Sequence, residues 1–189
     1  MNSSKTENEL LEKIKLLIRT TSGVALEAMA QKSGIAVQDV SDDRKILGHW
    51  MSLISISGDQ LHITFKVQFS IAMARAFADS GVKNDSVEIS NSHSKDFIRE
   101  FCNLLAGNIK NKLAENNVAV GISLPLLSRG FDDLFFSGTE TVGKSVDRWK
   151  LTNDKSEIFC ISDTEIINQF TLDENFNDSS AASGDVEFF

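Results

Sequence analysis

The sequence contains little proline and cysteine: one proline and two cysteines among 189 residues. This scarcity excludes collagen-like, mucin-like and disulfide-scaffold proteins. No apolar run approaches the roughly 20 residues that cross a membrane. The first residues mix acids with bases, so they do not form the apolar segment of a signal peptide. We therefore expect a cytoplasmic protein with reduced thiols and no membrane partner.

The chain also lacks an excess of basic residues. Its net charge of −8 arises from 27 acidic and 19 basic residues. Lys155 is the last basic residue and eight acidic residues follow it, so residues 1–155 are balanced in charge. A neutral body without a basic stripe argues against a nucleic-acid partner.

Motifs for metal binding and covalent catalysis are missing. His49, His62 and His93 lie far apart without metal-ligand spacing, so we predict solvated or packing roles for them and no metal bound by this chain. Cys102 and Cys160 form no CxxC pair; buried free thiols are the favoured interpretation, and a catalytic cysteine is the weaker one. There is no phosphate-binding glycine loop and no GxSxG motif.

The length suits one domain with a sizeable core. Periodicity predicts an amphipathic helix over residues 7–19 and a second helical stretch over 24–32, as one kinked helix or two. Residues 46–57 and 61–69 then predict a half-buried antiparallel hairpin, because apolar and polar residues alternate in its second strand. Ser70 is suited to cap a helix from residue 71 to 79.

The second half repeats this order. It predicts a helix over 94–116 with Ser94 as N-cap, a strand over 118–127 broken at an edge by Pro125, a turn over 128–130 and a hairpin of 146–152 with 157–162. Two similar helix-plus-strands halves indicate an α+β fold, an antiparallel sheet with helices packed on it. We assign residues 1–165 to this domain and 166–189 to an acidic tail.

The helix predicted over 94–116 carries the most informative pattern. At 100° per residue its apolar side chains gather on one face: Phe97, Ile98, Phe101, Leu104, Leu105 and Ile109. Glu100 and Asn103 lie opposite, one turn apart, with Gly107 beside them and Asp96 and Lys110 flanking. By itself Glu-x-x-Asn also fits a solvated face. A mid-helix glycine costs about 1 kcal/mol relative to alanine, so Gly107 indicates close approach of another element, within this chain or in a partner.

This part of the chain resembles the signature of the CheX branch of the CheC/CheX/FliY chemotaxis phosphatases. The signature combines Glu-x-x-Asn, a small-Gly-Asn step and a strand that ends in proline followed by glycine. The chain supplies these residues as Glu100, Asn103, Ala106-Gly107-Asn108, Leu124-Pro125 and Gly130. The resemblance covers roughly residues 5–162 and implies a CheC-like fold. Residues 131–144 depart from it by being longer and more polar, and Ala30 three residues after Glu27 indicates a single site.

The resemblance implies a phosphatase acting on the aspartyl phosphate of a CheY-like response-regulator receiver. Asn103 would orient the attacking water and Glu100 would pair with the receiver lysine; Asp96, Gly107 and Lys110 would bind the partner. The receiver would supply Mg²⁺, so this chain needs no cofactor, and the family implies a homodimer. The alternative is a non-catalytic CheC-like module that binds a receiver or a flagellar-switch component. An unrelated small-molecule enzyme is a third, weaker hypothesis.

Overall fold

The computed structural model describes residues 2–40, 49–79, 90–129, 143–154 and 156–173. In these parts of the chain it contains three helices and seven strands, in the predicted α+β class. Their bounds are α1 Asn2–Ala30, β1 Ala36–Asp39, β2 Trp50–Gly58, β3 Leu61–Phe69, α2 Ile71–Ala78, α3 Asn91–Glu115, β4 Val120–Ile122, β5 Leu126–Arg129, β6 Lys144–Thr152 and β7 Glu157–Ile166.

All described strands join one antiparallel sheet in the order β1-β6-β7-β3-β2-β4, with β5 also pairing with β2. The two predicted hairpins, β2–β3 and β6–β7, are confirmed and meet at the centre through β3 and β7. The strand that follows α1 pairs with the hairpin of the second half, and the strands that follow α3 pair with the hairpin of the first. The two halves therefore exchange their edge strands.

Helix α1 is one continuous helix, although Thr20 to Gly23 suggested a possible interruption. Ser22 is buried there: its Oγ donates to the carbonyl oxygen of Arg19 at 2.7 Å and accepts from Nε1 of Trp149 at 3.1 Å. A Cβ on Gly23 would lie 3.1 Å from Val37 Cγ2, so glycine here permits close contact with β1. Tertiary contacts thus compensate for the weak helix formers.

The core lies between the sheet and the three helices. The ring of Phe65 on β3 contacts Phe101 of α3 edge-on at 6.2 Å and Trp149 of β6 at 5.9 Å between centroids. Arg19 of α1 donates two hydrogen bonds of 2.7 Å to the carboxylate of Asp147 on β6. These bonds raise the pKa of Arg19 above its ordinary value despite the opposing effect of burial, so the guanidinium stays charged at all accessible pH values.

The N-cap of helix α3 lies four residues earlier than predicted, so the assignment of Ser94 as N-cap is wrong. Ser90 caps the helix, its Oγ accepting from the backbone N–H of His93 at 3.2 Å. Ser94 is buried within the helix, and Asp96 lies in the second turn instead of the first. The end agrees with the prediction, since Asn116 is the C-cap and Asn117 follows in the left-handed region at φ 59°.

The buried face of α3 is slightly rotated from the predicted one. Ile98, Phe101, Leu105 and Ile109 are fully buried as expected, but Leu104 is 38% exposed and was wrongly placed in the core. Cys102, Ala106 and Leu113 are buried in addition. The buried arc is therefore centred closer to Cys102, which turns Leu104 towards solvent.

Strand β3 was predicted to be half-buried along its whole length, and this is wrong for its second half. Lys66 and Gln68, on the face away from the helices, are only 5% and 2% exposed. Since β3 is central, large cross-strand neighbours cover both side chains on that face. These neighbours are Leu53 and Ile161 beside Lys66, and Met51 and Phe159 beside Gln68.

The predicted edge strand is confirmed, with a difference at its end. Pro125 separates β4 from β5, and both pair with β2. Residues 126–129 continue the edge as β5, so the turn predicted over 128–130 is wrong for Ser128 and Arg129. Gly130 and residues 131–142 lie outside the described residues, and with them most of the segment that departs from the family pattern.

Residues 166–173 were assigned to the tail by their polar composition, but the structure packs them against the domain. Leu172 is buried in the core, and its carbonyl oxygen accepts from Lys13 Nζ at 3.2 Å. The backbone N–H of Asp173 donates to Asn116 Oδ1 at 2.8 Å. The two apolar residues Phe170 and Leu172, among polar neighbours, are enough to hold this segment against the domain. The remainder of the acidic tail, residues 174–189, lies outside the described residues.

Candidate functional site on helix α3

Glu100 and Asn103 lie one turn apart on the outward side of α3. Glu100 is exposed and Asn103 is half-buried. Within the described part of the chain, neither side chain has a hydrogen bond or ion pair. A carboxylate and a carboxamide on a rigid helix, with their polar atoms free, are available to an outside ligand.

The opposite side of α3 is buried and holds the helix in place. Phe101 and Cys102, between the two site residues in sequence, are fully buried, and α3 packs on β2 beneath them. The Cys102 thiol donates to Ser52 Oγ at 3.4 Å, and burial raises the pKa of Cys102 to about 12. A neutral thiol anchored in the core fixes the rotation of α3 and hence the outward direction of Asn103.

Gly107 extends the same surface by one further turn. It is half-buried, and no described atom lies within 4 Å of where its Cβ would be. Close packing inside the described part of this chain therefore does not account for the glycine. The described residues leave room there for close approach by a partner.

Asp96 and Lys110 mark the two ends of this surface and are both exposed. Asp96 accepts from Ser92 at 3.5 Å and pairs with Arg99 at 3.4 Å, so its carboxylate is already partly engaged. At 1.5 Å per residue the two positions are about 21 Å apart along the axis. All five residues proposed from the sequence thus share the outward side of one helix.

A second site on α1 is not formed. Glu27 Oε1 accepts from the backbone N–H groups of Gly34 and Ile35 at 2.6 and 3.0 Å, so this carboxylate holds the loop after the helix. Ala30, where a second asparagine would be needed, is fully buried.

The cysteines and His62 are held by contacts within the fold. Cys102 and Cys160 are free and buried as predicted, and burial raises the pKa of Cys160 as well. His62 faces away from the helices, with Nδ1 2.6 Å from Ser57 Oγ and Nε2 3.1 Å from Thr64 Oγ1. Among the residues that the structure describes, no cluster of three metal-type ligands occurs.

A shallow open cavity of about 510 Å³ lies apart from the α3 surface. Residues of α2, β1 and the β6–β7 turn line it, among them Gln38, Met73, Lys150 and Ser156. No residue of α3 contributes to its walls, so we do not include it in the site.

In the described residues, no helix combines the length and apolar character needed to span a membrane.

Sequence reasoning missed a group of side chains beside this surface. Lys95 of α3 and Arg129 of β5 both lie over the indole ring of Trp50 at the start of β2. The three residues come from separate parts of the chain, and no local pattern brings them together. Only the pairing of β2 with β5 shows that they meet.

An antiparallel sheet with helices packed on it is the fold of the CheC-like proteins. Solved structures with this fold include a chemotaxis protein CheX from Vibrio vulnificus, at 16% identity and a TM-score of 0.62, covering 79% of this chain and 97% of that one. A CheC-like superfamily protein from Shewanella sp. PV-4 has 14% identity and a TM-score of 0.63, with coverages of 81% and 97%.

A third similar structure is the CheX–CheY–BeF₃–Mg²⁺ complex from Borrelia burgdorferi, at 15% identity and a TM-score of 0.59, with coverages of 81% and 96%. The family model described as chemotaxis phosphatase CheX matches residues 50–134, which include α3 and its site. A comparison with curated proteins finds no match. The chain thus has the fold of these CheX and CheC-like proteins, and its residues 50–134 are similar to the CheX family model.

Proposed function

We propose that this chain accelerates hydrolysis of the aspartyl phosphate of a CheY-like receiver domain. The observation that carries the proposal is the pair of Glu100 and Asn103, side by side on the outward face of α3 and without partners in the described residues. The match of the CheX family model across this helix supports it.

Asn103 is the catalytic group in this proposal. Phosphoryl transfer depends mainly on positioning and charge stabilisation. A carboxamide can accept one hydrogen bond from water and donate another to a phosphoryl oxygen, which places that water in line with the breaking bond. The amide gains or loses no proton, so the step requires no shifted pKa in this chain.

Glu100 binds and orients the partner by pairing with a receiver lysine. The charge-assisted contact would fix the register of α3 in the receiver's active site. Gly107 allows the helix to approach closely, and Asp96 and Lys110 contact the partner at the ends of the surface. The metal ion belongs to the receiver, in keeping with the Borrelia protein, whose structure was solved with CheY, BeF₃ and Mg²⁺.

The test is the decay of a phosphorylated receiver in the presence of the wild-type chain and its Asn103→Ala variant. We expect the variant to lose the acceleration and to keep its affinity for the receiver, because the amide acts on water. Asn111→Ala is the matched control, since Asn111 is an exposed amide on the same helix two turns further on. Equal acceleration by wild type and Asn103→Ala would contradict the mechanism.

Glu100→Ala completes the set. We expect it to lower both affinity and acceleration, because it removes the contact that positions the helix. If the wild-type chain binds receivers with no acceleration, the non-catalytic binding module is the correct function. Measuring affinity and decay in the same samples separates the two.

We further propose that the chain forms a homodimer through the β4–β5 edge. This edge is a sheet border, and edges pair readily with other chains. Leu124 and Leu126 on it are 89% and 62% exposed. Sedimentation of the wild-type chain should show a dimer that Leu124→Asp converts to monomer. Leu16→Asp, on an exposed leucine of α1, should leave the dimer intact; a wild-type monomer at micromolar concentration would contradict the proposal.

A further inference from the structure

One indole ring in this protein holds two cations. The ammonium of Lys95 lies 3.6 Å from the centroid of the Trp50 ring, and the guanidinium carbon of Arg129 lies 5.1 Å from it. Trp50 and Arg129 are opposed across the β2–β5 pair, so the backbone register fixes their neighbourhood. We call these three residues the cation–indole cluster.

Within the described residues, the positive charge of this cluster is not compensated. Neither Lys95 nor Arg129 has a carboxylate partner among the described residues. Trp50 and Lys95 are half-buried, and Arg129 is exposed. Attraction to the ring face favours each cation, while the two like charges, both held close to one ring, repel each other. An anion from outside would relieve that repulsion.

The cluster also lies next to the proposed site. Lys95 precedes Glu100 by five residues, which is about 7.5 Å along the helix axis. An ordinary protein interface buries roughly 800 Å² on each partner. At 100° per residue Lys95 lies about 80° around the helix from Asn103, so a partner that covers Glu100 and Asn103 over this area also reaches the flank of α3 that carries Lys95.

The chemistry of the proposed partner is anionic at this place. An aspartyl phosphate is negatively charged, and Mg²⁺ sites in proteins are built from carboxylates. The outward face of α3 presents Glu100 and Asp96 to such a surface, which is unfavourable between like charges. Lys95 and Arg129, which have no carboxylate partner in the described part of the chain, provide the complementary charge.

We propose that the cation–indole cluster is a docking contact for the carboxylates that surround the receiver's Mg²⁺ site. The inference rests on the proposed function and adds to it a residue set that controls association. Complementary charge acts mainly on the rate of encounter and on affinity. Lys95 and Arg129 therefore affect KM for the phosphorylated receiver, and the chemical step remains with Asn103.

The experiment compares the wild-type chain with the double variant Lys95→Gln/Arg129→Gln. At low salt we expect KM to rise about tenfold or more with kcat within about twofold, since two charges near a charged partner are removed. At 0.5 M salt the difference should shrink, because screening shortens the reach of these charges to a few ångströms. A fall in kcat at unchanged KM would overturn the inference.

The matched control is Lys15→Gln/Lys144→Gln, which removes the same charge elsewhere. Lys15 pairs with Glu12 on α1 and Lys144 with Glu165 on the sheet. We expect this variant to keep the wild-type KM and salt dependence. If both double variants raise KM equally, the effect is one of net charge and the docking contact is wrong.

A binding measurement separates this inference from the proposed function. The dissociation constant for a receiver loaded with beryllium fluoride and Mg²⁺ needs no turnover. If the wild-type chain binds without accelerating decay, the phosphatase proposal fails, and the docking contact still requires weaker binding by the Lys95/Arg129 variant. If the wild type accelerates decay and that variant binds equally well, the docking contact alone fails. A wild type that neither binds nor accelerates overturns both.

Discussion

Gly107 lies one turn beyond Asn103 on α3, and the space above it is open to solvent in the described structure. The described part of the chain gains nothing from this glycine, because alanine would fit there among the described atoms and would favour the helix. Gly107 lowers the stability of the helix beside the proposed catalytic amide. The space that a partner requires best explains why a glycine is found there.

Gly107→Ala should therefore separate stability from binding. We expect the free energy of unfolding to rise by up to about 1 kcal/mol, the difference in helix propensity, and affinity for the receiver to fall because the new methyl group prevents close approach. Urea unfolding and receiver titration measure the two effects. Asn111→Ala should change stability slightly and affinity not at all. Unaltered affinity in Gly107→Ala would remove Gly107 from the interface.

The rotation of α3 can be tested with two large-to-small variants. Phe101→Ala should lower the free energy of unfolding by about 3–5 kcal/mol, because it leaves a cavity beside Phe65. Leu104→Ala should cost less than about 1 kcal/mol, since Leu104 is largely at the surface. Denaturant unfolding provides both values. Similar costs for the two variants would mean that the helix faces are assigned incorrectly.

The buried thiols predict a loss of stability at alkaline pH. Burial raises the pKa of Cys102 to about 12, whereas a thiol in the unfolded chain ionises near pH 8.5. The contribution is complete below the unfolded pKa and is lost as pH rises towards the folded pKa. Each thiol then lowers the free energy of unfolding by about 1.4 kcal/mol per pH unit.

Urea unfolding between pH 8 and 10 measures this slope. Cys102→Ala should reduce it by one thiol and leave the part due to Cys160, whose pKa is also raised by burial. The difference between the two slopes cancels the other groups that titrate in this range. Identical slopes in wild type and variant would show that Cys102 ionises equally in both states.

The position of a truncation matters for any study of the acidic tail. Removal of the residues after Asp173 should change the free energy of unfolding by less than about 0.5 kcal/mol, because the described contacts end there. Removal after Ser162 should prevent folding, since it deletes the end of β7 and the buried Leu172. Circular dichroism and unfolding curves distinguish them; equal stability of the two truncations would contradict the packing of residues 167–173.

Removal of the residues after Asp173 also tests the function of the tail. Tighter receiver binding at low salt only would indicate electrostatic repulsion by the tail, which screening removes. Loss of binding would indicate a tether through Phe188 and Phe189. No change at either salt concentration would assign the tail to solubility.

The elements that depend on local pattern were predictable from the sequence. The alternation in residues 61–69 and the serine at position 70 fixed a hairpin and a helix start, both confirmed. The outward placement of Glu100 and Asn103 followed from helical geometry alone. Strand β1 was not predicted, because its four residues are too few to show a periodicity. Its partner strand also lies more than a hundred positions away in the sequence.

Features that depend on tertiary neighbours were not predictable. Lys66 and Gln68 are polar residues in an alternating strand, and only their place at the centre of the sheet explains their burial. Leu172 looked like part of a polar tail until the core around it was known. The start of α3 was misplaced because Ser90 and Ser94 are equally good caps in isolation, and only the burial of Ser94 distinguishes them.

The exchange of edge strands between the two halves has a consequence for how this domain comes into being. The pairing of Ala36 with Thr152 joins the beginning of the chain to a strand made near its end. A nascent chain on the ribosome therefore cannot pair β1 until β6 has emerged, long after β2 and β3 are able to form their hairpin. Such long-range pairing slows folding, and it ties the two halves into a single cooperative unit in which neither can be inherited, lost or transplanted without the other.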